Sequence, residues 1–267
     1  MSLIDAECRG PSMTVTLTTS PWLSCSRSQP GKKLRLFCFP YAGGAAHIFR
    51  TWPQSLPQTV EVCPVHLPGR GNRLAEPLFH RLDPLVHAAT QALLPLLNQP
   101  FAFFGHSMGA VVAFELARHL RNAHHIEPRH LFMSGRRAPQ IIENESPTYN
   151  LERTEFLEEL RRLNGTPVEV LEHPELIELM LPILRADFQV VETYEYEPDL
   201  PLNCPITAFG GLKDDRAKRE FLEAWREQTN ARFSLQMFPG DHFFLHSAQT
   251  LLLKVLSQEL EYLTSND

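Results

Sequence analysis

A chain of 267 residues, 43% apolar and 21% charged, is long enough for one α/β domain with a buried core. None of its apolar runs reaches the roughly 18–20 residues that a bilayer-spanning helix needs. A formal net charge of −6 without a basic stripe argues against a nucleic-acid partner. Met1–Gly10 carry acidic groups and no long apolar stretch, which argues against a secretory signal. A cytoplasmic chain, off the membrane and monomeric, is the expectation.

Residues 1–30 are rich in Ser, Thr and Pro and show no sustained periodicity. A flexible segment over 1–20 is expected, with Met13 as an alternative start, and a folded domain over 21–267. Short apolar runs then recur at Leu34–Phe39, Val60–Val65, Phe101–Phe104, His130–Met133, Ile206–Phe209 and Phe233–Phe238. Each is bounded by Pro, Gly or polar residues, as strands are, and several are continuously apolar, as parallel strands covered on both faces are.

Helical spacing fills the gaps. Pro84–Leu97 places Leu85, Ala88, Ala89, Ala92, Leu93 and Leu96 on one face, and Met108–Leu120 is apolar around much of its circumference. Phe221–Thr229 and Ser247–Leu263 complete the set. Alternation of this kind implies a mostly parallel sheet with helices on both sides. The alternation fails between residues 146 and 201. Two helices are expected there, near Thr154–Leu163 and Pro174–Val191. Leu176, Leu179, Met180, Ile183 and Leu184 should form the packed face of the second, and Pro182 should kink it. A helical insertion of this kind is a candidate lid.

The five cysteines contain no C-x-x-C pair, and their odd count and spacing argue against a disulfide framework or a zinc site. Cys38, Cys63 and Cys204 lie in or beside apolar segments and read as small core residues. The twelve histidines are scattered, so none earns a role from composition alone.

The segment Phe101-Ala-Phe-Phe-Gly105-His106-Ser107-Met108-Gly109 reads as strand, G-x-S-x-G, then helix. This is the context of a nucleophile elbow, in which a sharp turn presents a serine hydroxyl at the sheet's edge. The partners of such a serine follow in the order acid, then histidine, on loops after later strands. Gly210-Gly-Leu-Lys-Asp214-Asp215 and Pro239-Gly-Asp-His242 occupy those places. Ser107, Asp214 and His242 are therefore the candidate catalytic residues, with Asp215 as the rival acid and His246 as the rival base. Two backbone N–H groups should hold a developing oxyanion. Met108 supplies one by its position after the nucleophile, and Ala42, in the loop Phe39-Pro-Tyr-Ala-Gly-Gly44, is the candidate for the other.

Five segments in the same order resemble the type II thioesterases that accompany nonribosomal peptide and polyketide synthases. They are Leu36-Phe-Cys-Phe-Pro-Tyr-Ala-Gly-Gly44, Leu67-Pro-Gly-Arg-Gly71, Gly105-His-Ser-Met-Gly109, Leu184-Arg-Ala-Asp187 and Phe238-Pro-Gly-Asp-His-Phe-Phe244. The resemblance supports Asp214 over Asp215 as the acid within an α/β-hydrolase fold, and a Ser–His–Asp site with an oxyanion hole needs no metal or other cofactor. The resemblance also implies hydrolysis of stalled or misprimed acyl groups from the phosphopantetheine arm of acyl or peptidyl carrier domains. An acidic carrier would need a local basic patch, for which Arg70, Arg73, Arg136 and Arg137 are candidates. An oxygen-ester hydrolase of the carboxylesterase or lipase kind, a macrocyclising enzyme and a non-catalytic binding module are the alternatives.

Overall fold

The computed structural model describes residues 20–23, 31–142, 146–163, 165 and 168–265, the side chains of residues 168 and 169 excepted. The expected flexible segment lies almost wholly outside them. Six parallel strands form one sheet: β1 (Leu34–Phe39), β2 (Val60–Pro64), β3 (Phe101–His106), β4 (Leu131–Ser134), β5 (Ile206–Gly211) and β6 (Phe233–Phe238). Their spatial order is β2-β1-β3-β4-β5-β6. The chain thus leaves β1 toward one edge and returns through β3 toward the other. Successive loops diverge at the carboxyl ends of β1 and β3, where Phe39 is in register with Gly105. A crevice opens at such a switch point, and ligands of open α/β sheets bind there.

Strand alternation explains why the apolar runs are continuous. In β1, Phe37 and Phe39 point into one core while Leu34, Leu36 and Cys38 point into the other. In β3, Phe101 and Phe103 share the first core, and Ala102 and Phe104 the second. Helices α1 (Leu82–Leu93) and α2 (Met108–His124) cover the first face. Helix α8 (Gln249–Ser265), with Phe49 and Trp52, covers the second. The expected α1 pattern holds, and Leu94–Leu96 continues it as a 3₁₀ turn.

Between β4 and β5 lie α3 (Arg153–Leu163), α4 (Val168–Glu172) and α5 (Pro174–Glu192), which share a small core of their own around Phe156, Leu160, Ile177, Leu181 and Leu184. Helix α5 continues across Pro182. Its packed face differs from the expected one. Leu176 and Leu179 are 43% and 48% exposed, while Ile177, Leu181 and Asp187 are buried. The inward face carries a carboxylate, Asp187, as well as leucines, a combination that hydrophobic periodicity does not weigh. Beyond β5, α6 (Arg219–Glu223) leads into a 3₁₀ turn over Ala224–Gln228. The last helix does not begin at residue 247. A short α7 (Phe244–Ser247) precedes α8.

Cys38 and Cys204 are buried free thiols, as core residues would be. Cys63 is buried but disulfide-bonded, which corrects the reading of all three as plain core thiols. Spacing along a chain carries no information about which segments fold side by side. Among the described residues no helix is long and apolar enough to cross a membrane.

One buried polar line crosses the sheet. His130 Nε2 lies 2.8 Å from Thr207 Oγ1, which lies 2.9 Å from Ser234 Oγ, and the His130 ring stacks on Phe132. Burial, with the Arg232 charge nearby, pulls the His130 imidazole down from 6.5 to about 3. Between those pH values the unfolded chain takes up a proton that the folded chain refuses, so stability rises with pH across the window. This histidine should cost about 2 kcal/mol of stability at pH 5 relative to pH 7. Urea unfolding at the two pH values checks this: His130→Gln should lose less stability on acidification than the wild type, and an equal loss contradicts it.

Candidate active site

The turn from β3 into α2 is made by one residue. Ser107 has φ 52° and ψ −113°, a left-handed backbone that a side chain normally avoids. Its amide donates to the Ser134 carbonyl at 2.8 Å, tying the turn to the end of β4. The two motif glycines permit this. A Cβ on Gly105 would lie 2.1 Å from the Gly109 carbonyl oxygen, and one on Gly109 would lie 2.2 Å from that of Phe39. Both residues are thus glycine because backbone crosses backbone at the elbow.

The loops after β5 and β6 bring two side chains to the serine. His242 Nε2 lies 3.0 Å from Ser107 Oγ, and His242 Nδ1 lies 2.8 Å from Asp214 Oδ2. The other Asp214 oxygen accepts the backbone N–H groups of Arg216 (3.0 Å) and Ala217 (3.2 Å). Burial alone would raise the Asp214 pKa. The hydrogen bond and charge of His242 and the two backbone donors outweigh it, and the carboxyl is held below its ordinary value. An ionised carboxylate only accepts hydrogen bonds, so the imidazole proton sits on Nδ1 and leaves Nε2 bare toward the serine hydroxyl.

The rivals separate on the same geometry. Asp215 is exposed, whereas Asp214 is 5% exposed and turned toward His242. His246 Nε2 lies 3.0 Å from the Tyr41 hydroxyl, at the rim of the site. Behind the elbow, His106 is fully buried with Nδ1 2.8 Å from Ser134 Oγ. Burial, with His242 close by, pushes its pKa well down, so its ring is neutral. Sequence reasoning gave His106 and Ser134 no part; the only signal was the histidine next to the nucleophile.

Ala42 and Met108 line the same cavity as Ser107, and among the described residues no hydrogen bond uses either backbone N–H. The cavity measures about 540 Å³. Val111 and Phe114 of α2, Ala138 and Ile141 after β4, and Phe188 and Val191 of α5 give it apolar walls, together with Trp225 and Tyr194. The 146–201 insertion therefore forms one side of it. Glu192 fixes that side by accepting the backbone N–H groups of Thr148 and Tyr149 and the Thr148 hydroxyl. Arg136 and Arg137 line the cavity. Arg70 and Arg73, expected as docking cations, do not form a surface patch. They are 7% and 4% exposed and paired with Asp187 and Glu76.

A hydroxyl beside a bare imidazole nitrogen, two amide donors and an apolar cavity can together carry out acyl transfer through a covalent intermediate. Comparisons agree with that chemistry. The thioesterase domain model matches residues 34–260. The chain is 47% identical over 248 residues to linear gramicidin dehydrogenase LgrE of Brevibacillus parabrevis, covering 92% of this chain and 94% of that one. The solved RedJ thioesterase from the prodiginine pathway of Streptomyces coelicolor superposes with a TM-score of 0.81 at 41% identity, over 85% of this chain and 91% of that one. The type II thioesterase BorB from the borrelidin cluster gives 0.81 at 35%, over 90% and 97%.

Strain at the elbow is testable separately from chemistry. Ser107→Gly should raise the unfolding free energy by about 1 kcal/mol while removing the hydroxyl. Urea denaturation measures it, and a drop in stability contradicts the strain.

Proposed function

Because the chain belongs to the thioesterase family, we propose that it is a type II thioesterase that removes acyl groups from the phosphopantetheine arms of synthase carrier domains. The observation that carries the reading is the unbroken hydrogen-bond line from Ser107 through His242 to Asp214, opening on an acyl-sized apolar cavity.

In this reading the Ser107 hydroxyl attacks the thioester carbonyl as His242 Nε2 takes its proton. Asp214 keeps the ring in the required tautomer and stabilises the imidazolium. The carbonyl oxygen becomes negative and is held by the amides of Ala42 and Met108, helped by the N-terminal end of α2. Collapse breaks the C–S bond. The departing thiol has a pKa near 8.5, so it leaves with little help from a proton donor. Water then loses a proton to His242, attacks the acyl-serine and frees the carboxylic acid. No step calls for a metal or a cofactor, and the pantetheine arm is substrate. The insertion over 146–201 serves as the lid under which that arm enters, and Arg136 and Arg137, which line the cavity, are candidate cations for an acidic carrier. The dehydrogenase in one relative's name finds no counterpart in this constellation, which moves acyl groups and protons rather than hydride.

The test is a panel of one acyl group as its N-acetylcysteamine thioester, its oxygen ester and its carrier-bound thioester. The thioester should be hydrolysed faster than the oxygen ester, with the largest kcat/KM on the carrier. Faster oxygen-ester turnover contradicts the reading. Asp214→Asn should lower kcat by about 10³-fold or more with KM little changed, because the imidazole then adopts the wrong tautomer. A loss below about tenfold removes Asp214 from the role.

A further inference from the structure

The loop that carries Ala42 is held from behind by a buried ion pair. Gly43 donates its backbone N–H to Asp187 Oδ2 at 2.7 Å. Arg70 grips the same carboxylate with two parallel bonds, Nη1 to Oδ2 at 2.6 Å and Nη2 to Oδ1 at 2.8 Å. Its Nη1 also donates to the Gly44 carbonyl at 3.2 Å, and its Nε to the Pro68 carbonyl at 3.2 Å. The two side chains are 8% and 6% exposed. Three segments far apart in sequence meet here: the loop after β1, the Leu67–Gly71 loop after β2, and the middle of α5.

The contacts select which amides of the loop face the cavity. Asp187 takes the N–H of Gly43, and the Tyr41 carbonyl takes that of Gly44 at 2.8 Å. The Ala42 amide has no such partner among the described residues. Gly43 has φ +74°, and a Cβ there would lie 2.5 Å from Leu184 Cδ2, so α5 packs directly on the loop's tip. The carboxylate holds the Ala42–Gly43 peptide by its N–H and the guanidinium holds the Gly44–Ala45 peptide by its carbonyl, so the loop between them has little freedom to rotate.

We propose that Arg70 and Asp187 are positioning residues: their ion pair orients the Gly43 peptide so that the neighbouring Ala42 N–H is aimed at the oxyanion. The proposal rests on the reading of Ala42 and Met108 as oxyanion donors. It makes α5 the rear support of the oxyanion hole as well as a wall of the cavity. Neither residue touches the reacting atoms. Displacing α5 would withdraw the carboxylate from Gly43, so movement of this helix and the aim of the donor are one coordinate.

Removing one partner alone would strand a buried charge, whereas replacing both keeps the interior neutral. The test therefore compares two double variants. R70M/D187N keeps a side-chain oxygen for the Gly43 N–H, and R70M/D187L removes it with a side chain of the same branching but larger volume. Thermal unfolding monitors the fold. With an octanoyl N-acetylcysteamine thioester, the leucine variant should show kcat at least about tenfold below the asparagine variant, with KM within about twofold. Its affinity for an octyl trifluoromethyl ketone, which forms an oxyanion adduct, should drop by a similar factor. Should the leucine variant fail to fold, R70M/D187A is read in its place. Equal kcat and equal ketone affinity in the two variants overturn the clamp while leaving the thioesterase reading intact. A wild-type protein that neither hydrolyses the thioester nor binds the ketone overturns that reading and the clamp with it.

Discussion

A serine hydroxyl reaches the cavity only because the chain passes from strand to helix within one residue, and that turn is possible only where neighbouring backbones touch. Ser107 carries the left-handed conformation. Gly105 and Gly109 give up their side chains so that the elbow can close on itself and on Phe39. The same crossing sets the loop after β1 beside the first turn of α2, so the Ala42 and Met108 amides border one space. In the proposed reading, the placement of the nucleophile and of the oxyanion donors follows from one steric constraint.

The sheet makes that constraint affordable. Both faces of β1 and β3 are buried, with successive side chains alternating between the two cores. Side chains locked from both sides leave the strand ends little freedom, and a strained turn at such an end is held rather than relaxed. The later strands add the two remaining groups at the same edge. The loop after β5 buries Asp214 under two backbone donors, and the loop after β6 delivers His242 between acid and serine. Each catalytic candidate thus lies at or just beyond the end of a strand, held by hydrogen bonds to its neighbours.

Much of this was legible in the chain because it rests on local rules. The six strands announced themselves through short apolar runs, and the elbow through glycines flanking a serine between strand and helix. Asp214 against Asp215 was not decidable from spacing, since both follow the same glycine pair. In three dimensions Asp214 is buried against His242 and Asp215 is exposed, which supports the first. Arg70 and Asp187 show the reverse failure. Arg70 reads as a docking cation and Asp187 only as part of a motif, because a pairing across 117 positions leaves no periodic trace. The disulfide at Cys63 was hidden for the same reason. Local pattern reports which face of an element is apolar; it does not report which charged groups find partners inside.

The central claim is that Ser107, activated by His242, is the nucleophile. Treating the protein with an alkyl fluorophosphonate and mapping the modified peptide by mass spectrometry tests it most directly. The account predicts a single adduct on Ser107 that His242→Ala slows severely. An adduct on another residue, or an unmodified protein after prolonged exposure, would contradict it.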